Sequence, residues 1–134
     1  MEKVEFSNVC YAIIIRADYD NDGITFFTPD DYSQQLAYMK REKGYKIEPH
    51  YHNKVDRTVS LTQEVLFIKK GIVKVNFYDD HCCLCGDVLL RAGDVILLSA
   101  GGHGFEMLAD AQIIEVKQGP YSGEQDKTRF LPKD

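Results

Sequence analysis

The succession of short apolar runs in this sequence predicts an all-β domain, built as an antiparallel sandwich or barrel. After Gly44 the chain offers runs at Glu64–Lys70, Ile72–Tyr78, 88–91, 94–98, 104–108 and Gln112–Lys117, rich in Val, Ile, Leu and Phe. Turn-forming residues punctuate them: Gly71, the stretch 79–86, Gly93, Gly101-Gly102 and Asp110. Many short strands between regularly spaced turns are the mark of antiparallel β architecture. No helical stretch separates the runs, which disfavours parallel βαβ units.

The N-terminal elements are read in the same way. Residues 11–16 (Tyr-Ala-Ile-Ile-Ile-Arg) are short and β-branched, so they form a buried strand. Residues 18–23 form an acidic turn that lacks the Gly-to-Glu spacing of a calcium loop. Residues 28–44 predict the one short helix. Thr28 caps it, Pro29 takes the first position, Asp30 and Asp31 face the positive dipole end, and Gly44 stops it. Tyr32, Leu36 and Met39 make its apolar stripe, a packing surface. Residues 58–62 alternate with period two and predict a further strand. The stretch 79–86 reads as a hairpin loop that carries His81, Cys82, Cys83 and Cys85 without the second cysteine pair of a zinc knuckle.

Length and charge narrow the function classes. The 134 residues fit one domain, and 44% hydrophobic with 28% charged residues is ordinary globular composition. A net charge of −5 supplies no electrostatic drive toward nucleic acid. No apolar run approaches the roughly 20 residues that a bilayer requires. The acidic start, without an apolar leader core, and the crowded thiols predict reduced cysteines and a cytoplasmic protein.

His50 and His52 are separated by one residue, so an extended backbone places both imidazoles on one face, half of a first-row metal site. The pair sits in a larger pattern: Gly44, His50, His52, Glu64 and Gly71, then Gly93-Asp94, an apolar run and His103. This order resembles the two motifs of the cupin superfamily and spans 64 residues, from Gly44 to Met107. It departs from the usual pattern in three places. Eleven residues separate His52 from Glu64 where three or four are usual. Ser99 stands in place of proline, with the turn to His103 one residue shorter, and Met107 in place of asparagine.

The resemblance implies a single cupin domain over 1–134. It would carry an N-terminal strand and helix in 1–43, both motifs in 44–108, and a last strand and tail in 109–134. The implied fold is a conical antiparallel β-barrel, the jelly roll or double-stranded β-helix. His50, His52, Glu64 and His103 would then hold one divalent transition metal, a donor set that suits Fe, Ni, Zn, Mn or Co. Glu64 is read as a ligand, with a catalytic role as general base, or a hydrogen-bonding role, left open. Tyr45, Gln63, Phe105 and Lys117 are further candidates for cavity lining. The implied function is metal-dependent chemistry on a small polar substrate, a sugar derivative or oxygenated carboxylate; the alternative is a non-catalytic metal-bearing binding or regulatory module. The tail from Val116 to Arg129 is similar to that of small bacterial cupins of sugar and polysaccharide metabolism. Exposed sheet edges in so small a barrel predict a homodimer, with a small-molecule ligand and neither nucleic acid nor membrane as partner.

Overall fold

Ten strands and one 3₁₀ turn make up the fold, in a computed structural model that describes residues 1–134. The strands are β1 (Glu2–Phe6), β2 (Val9–Ile15), β3 (Gly23–Phe26), β4 (Ala37–Lys40), β5 (Glu64–Lys70), β6 (Ile72–Tyr78), β7 (Leu84–Arg91), β8 (Val95–Leu98), β9 (Gly102–Met107) and β10 (Gln112–Lys117). All pair antiparallel, in a five-stranded sheet of order β1-β2-β8-β5-β10, a three-stranded sheet of order β7-β6-β9, and the hairpin β3-β4. The chain is all-β, as its apolar runs predict, and the sheets do not close into a barrel. No helix is long and apolar enough to cross a membrane.

Two apolar clusters account for this layering. Ala12, Ile14, Leu66, Ile68, Ile96 and Leu98 from the five-stranded sheet meet Val73, Val75, Phe77 and Leu90 from the three-stranded sheet in the main core. On the opposite face, Ile13, Ile15 and Leu97 pack with Phe27, Tyr19, Tyr32, Leu36 and Tyr38. The central sheet is therefore buried on both faces, so β2 reads as an unbroken apolar run instead of an alternating one. Asp94, itself buried, fixes the turn before β8: its carboxylate accepts from Ala17 N at 2.9 Å, Arg91 N at 2.7 Å and Arg16 Nη1 at 3.1 Å.

The helix expected at 28–44 is corrected by the structure. The segment contains a turn, a bend and strand β4, which pairs with β3 from Gly23↔Lys40 to Phe26↔Ala37. Local side-chain hydrogen bonds compete with the helical ladder. The Gln35 amide donates to Pro29 O at 2.9 Å and Tyr32 O at 2.8 Å, and Thr28 Oγ1 accepts from Leu36 N at 3.2 Å. The apolar side chains that gave the helical stripe still pack, with Tyr32 and Leu36 covering the outer sheet face. The strand expected at 58–62 is likewise absent, because no backbone ladder reaches those residues. All four cysteines are free thiols, and residues 79–83 form the β6–β7 turn, with Asp79 Oδ1 accepting from His81 N and Cys83 N.

Candidate functional site

At one end of the sandwich the inward face changes from apolar to polar. Along β10 the alternation puts Ile113, Glu115 and Lys117 on the core side and leaves Ile114 and Val116 outside. Register then brings Lys117 opposite Glu64, and Glu115 opposite Leu66. Across the sandwich His103 lies on β9 opposite the buried Phe77, so it shares the inward face. His103 Nε2 approaches Glu64 Oε1 to 2.7 Å, with both side chains largely covered. The turn into β9 depends on Gly101, whose φ is +70° and whose position leaves no room for a Cβ beside the Tyr11 ring.

These residues line an open cleft of about 910 Å³. Its other wall is the C-terminal tail, held by four contacts. Thr62 Oγ1 donates to Asp126 Oδ1 at 2.8 Å, and Lys117 Nζ lies 3.4 Å from Asp126 Oδ2. Phe130 packs edge-on against Tyr78 at 5.4 Å between ring centroids, and Lys133 N donates to Cys82 O. Arg129 faces the cleft without an ion-pair partner in the chain.

The electrostatics follow from this crowding. Hydrogen bonding from His103 holds the Glu64 carboxyl down, from an ordinary 4.5 to about 2, against the opposing effect of burial. Glu115 moves the other way: hydrogen bonding to Glu64 and burial raise its carboxyl, because two neighbouring carboxylates are most stable when one keeps a proton. The arrangement holds an imidazole against an ionised carboxylate, with a second carboxyl able to carry a proton beside them.

Of the expected metal ligands, the fold brings together Glu64 and His103 only. His50 and His52 lie side by side, their ring centroids 5.4 Å apart, on an exposed segment whose residues 59–61 line the cleft while the two histidines do not. His50 Nδ1 donates to Glu48 O at 2.9 Å. Nowhere in the chain do three His, Cys, Asp or Glu side chains converge as a metal ion requires. The four residues are therefore not gathered at one point. Of the other lining candidates, Phe105 and Lys117 face the cleft, while Tyr45 sits on the exposed segment under the Arg41 guanidinium at 4.4 Å. Gln63 is buried framework, its Oε1 accepting from Ser33 Oγ and Gln34 N. Glu115 escapes the sequence reading. Its signal is the inverted pattern of β10, where the charged residues share the core-facing side and the apolar ones face out. No protein-family model, curated protein or solved structure matches the chain.

Proposed function

We propose that this chain is a cupin-type enzyme that acts on a small polar substrate, a sugar derivative or oxygenated carboxylate, in the cleft between β9, β10 and the tail. The observation that carries the reading is the 2.7 Å approach of His103 Nε2 to Glu64 Oε1 inside that cleft. An imidazole held by a carboxylate keeps one orientation and one tautomer. With Nε2 directed at Glu64, Nδ1 is left to accept a proton from a substrate hydroxyl or an activated C–H. Glu115 supplies a second carboxyl, whose charged form is disfavoured by its hydrogen bond to Glu64. Arg129 and Lys117 suit a carboxylate on the substrate, Arg129 through its planar fork. The four free thiols support a reducing, cytoplasmic setting.

A second reading, a divalent transition metal on His50, His52, Glu64 and His103, is favoured by the paired imidazoles at 50 and 52. A metal held there would supply Lewis-acid chemistry. A panel of hydroxy acids, sugar acids and nucleotide sugars, screened by thermal shift and then for proton exchange into solvent, tests the first reading. The expected result is stabilisation by one class, lost in His103→Ala, with solvent exchange abolished in Glu64→Gln. A ligand that protects wild type and His103→Ala equally would place binding elsewhere.

A further inference from the structure

We propose that Lys127 and Arg129 form an anion subsite on the tail side of the cleft, which receives a phosphoryl group carried by the sugar derivative that reacts at His103. The inference rests on the cleft being the substrate site and names the substrate class within it. The tail is pinned on both sides of the two cations. Before them, Asp126 accepts from Thr62 Oγ1 at 2.8 Å and pairs with Lys117 at 3.4 Å. After them, the Phe130 ring packs on Tyr78 and lies so close over Gly102 that a Cβ there would meet it at 3.0 Å. Lys127 itself has extended backbone, with φ −149° and ψ 158°. Being two residues apart, the Lys127 and Arg129 Cα atoms are separated by at most roughly 7 Å, a gap that two long side chains span easily. A segment already held at both ends loses little freedom on binding, which favours affinity.

Charge balance says what the pair would hold. Six charged side chains line the cleft besides His103. Glu64 has His103 against it, and Asp126 has Lys117. The charged form of Glu115 is disfavoured by its hydrogen bond to Glu64. Lys127 and Arg129 are exposed, and neither comes within ion-pair distance of an acid. Two positive charges on one wall are thus left unmatched. A carboxylate would answer one of them. A phosphate monoester carries about −1.5 to −2 at neutral pH and three acceptor oxygens, enough for the Arg129 fork, the Lys127 ammonium and the Thr128 hydroxyl between them. General attraction is no substitute, because the chain carries −5 and a dianion gathers only where cations are placed for it. The space agrees: about 910 Å³ is near the top of the roughly 300–1,000 Å³ of small-molecule sites, room for a phosphoryl group beside a sugar ring.

The test titrates the ¹⁵N-labelled full chain, at constant ionic strength, with inorganic phosphate, acetate, glucose 1-phosphate and UDP-glucose, and follows the amides of 126–130. Phosphate is expected to bind more tightly than acetate and to shift those amides. Arg129→Gln and Lys127→Gln, checked as folded by the rest of their spectra, should each weaken phosphate binding roughly tenfold or more. Arg129→Lys should recover only part of the loss, because an ammonium lacks the fork. A preference for glucose 1-phosphate assigns the subsite to a monoester, and one for UDP-glucose assigns it to a diphosphate. No phosphate binding, equal affinity for phosphate and acetate, or phosphate binding unchanged in both Gln variants would overturn the subsite. Its failure is separable from that of the enzymatic reading. Ligand stabilisation lost in His103→Ala and kept in both Gln variants removes the subsite and leaves the reading. Phosphate binding lost in the Gln variants, with no ligand class dependent on His103, keeps the subsite and removes the reading.

Discussion

The β5–β10 half of the molecule and the 41–61 arm meet different physical constraints. In β5–β10, burial fixes everything: each strand has two neighbours' worth of hydrogen bonds or a packed face, and a one-residue slip would turn Ile68, Val75 or Ile96 out of the core. The arm has no such constraint, so its residues carry chemistry without a position. Half of the expected ligand set lies in each region. Glu64 and His103 meet because their strands are locked into facing sheets; His50 and His52 meet only each other.

The largest contrast should come from truncating one side chain in each region. Phe77→Ala removes a fully buried ring packed against Phe6 and Tyr11 and should cost about 3–5 kcal/mol in urea denaturation. Tyr51→Ala, on the arm, should stay within about 0.5 kcal/mol at dilute concentration. Equal losses would mean that the arm is part of the chain's own core. Next in size is Asp94→Ala, which strands two backbone N–H groups and Arg16 and should cost about 2–3 kcal/mol.

The cleft separates from both by its pH dependence. The folded Glu64 carboxyl lies below its ordinary 4.5, at about 2, so its ionised form stabilises the fold above about pH 4.5 and that stabilisation is lost as pH falls toward 2. Glu64→Gln should lower the melting temperature at neutral pH and flatten this acid limb. Glu115 is raised, so its contribution has the opposite sign: present while it keeps its proton, lost as pH rises through its folded value. An amide there donates at every pH, so Glu115→Gln should melt slightly higher than wild type at pH 7–8 and match it in acid. The thiols should also matter little. Changing Cys82, Cys83 and Cys85 together to Ser should shift stability by about 1 kcal/mol and leave any metal uptake unchanged. Loss of bound metal in that variant would move the metal site to the β6–β7 turn.

What was legible in the sequence follows the same division. β5, β6 and β10 begin and end where their apolar runs do, because burial writes itself into hydrophobic pattern and Gly71 marks the turn between the first two. β1, β3 and β4 were not legible. They are short, half-exposed strands whose partners, not their own residues, make them strands. The same blindness produced the helix at 28–44, where capping residues and an apolar stripe were real but Gln35 and Thr28 tie the backbone otherwise. For the site, the spacing of His103 and Glu64 to their glycines was informative because strand register carries it. The His50 and His52 positions were chemically legible and geometrically silent, since an eleven-residue connector sets no register.

Amide hydrogen exchange at dilute concentration tests most directly whether the two regions differ as their burial says. The account predicts that β2 and β6 stay protected while residues 47–52 exchange at unprotected rates. Residues 47–52 as protected as β2 would contradict it.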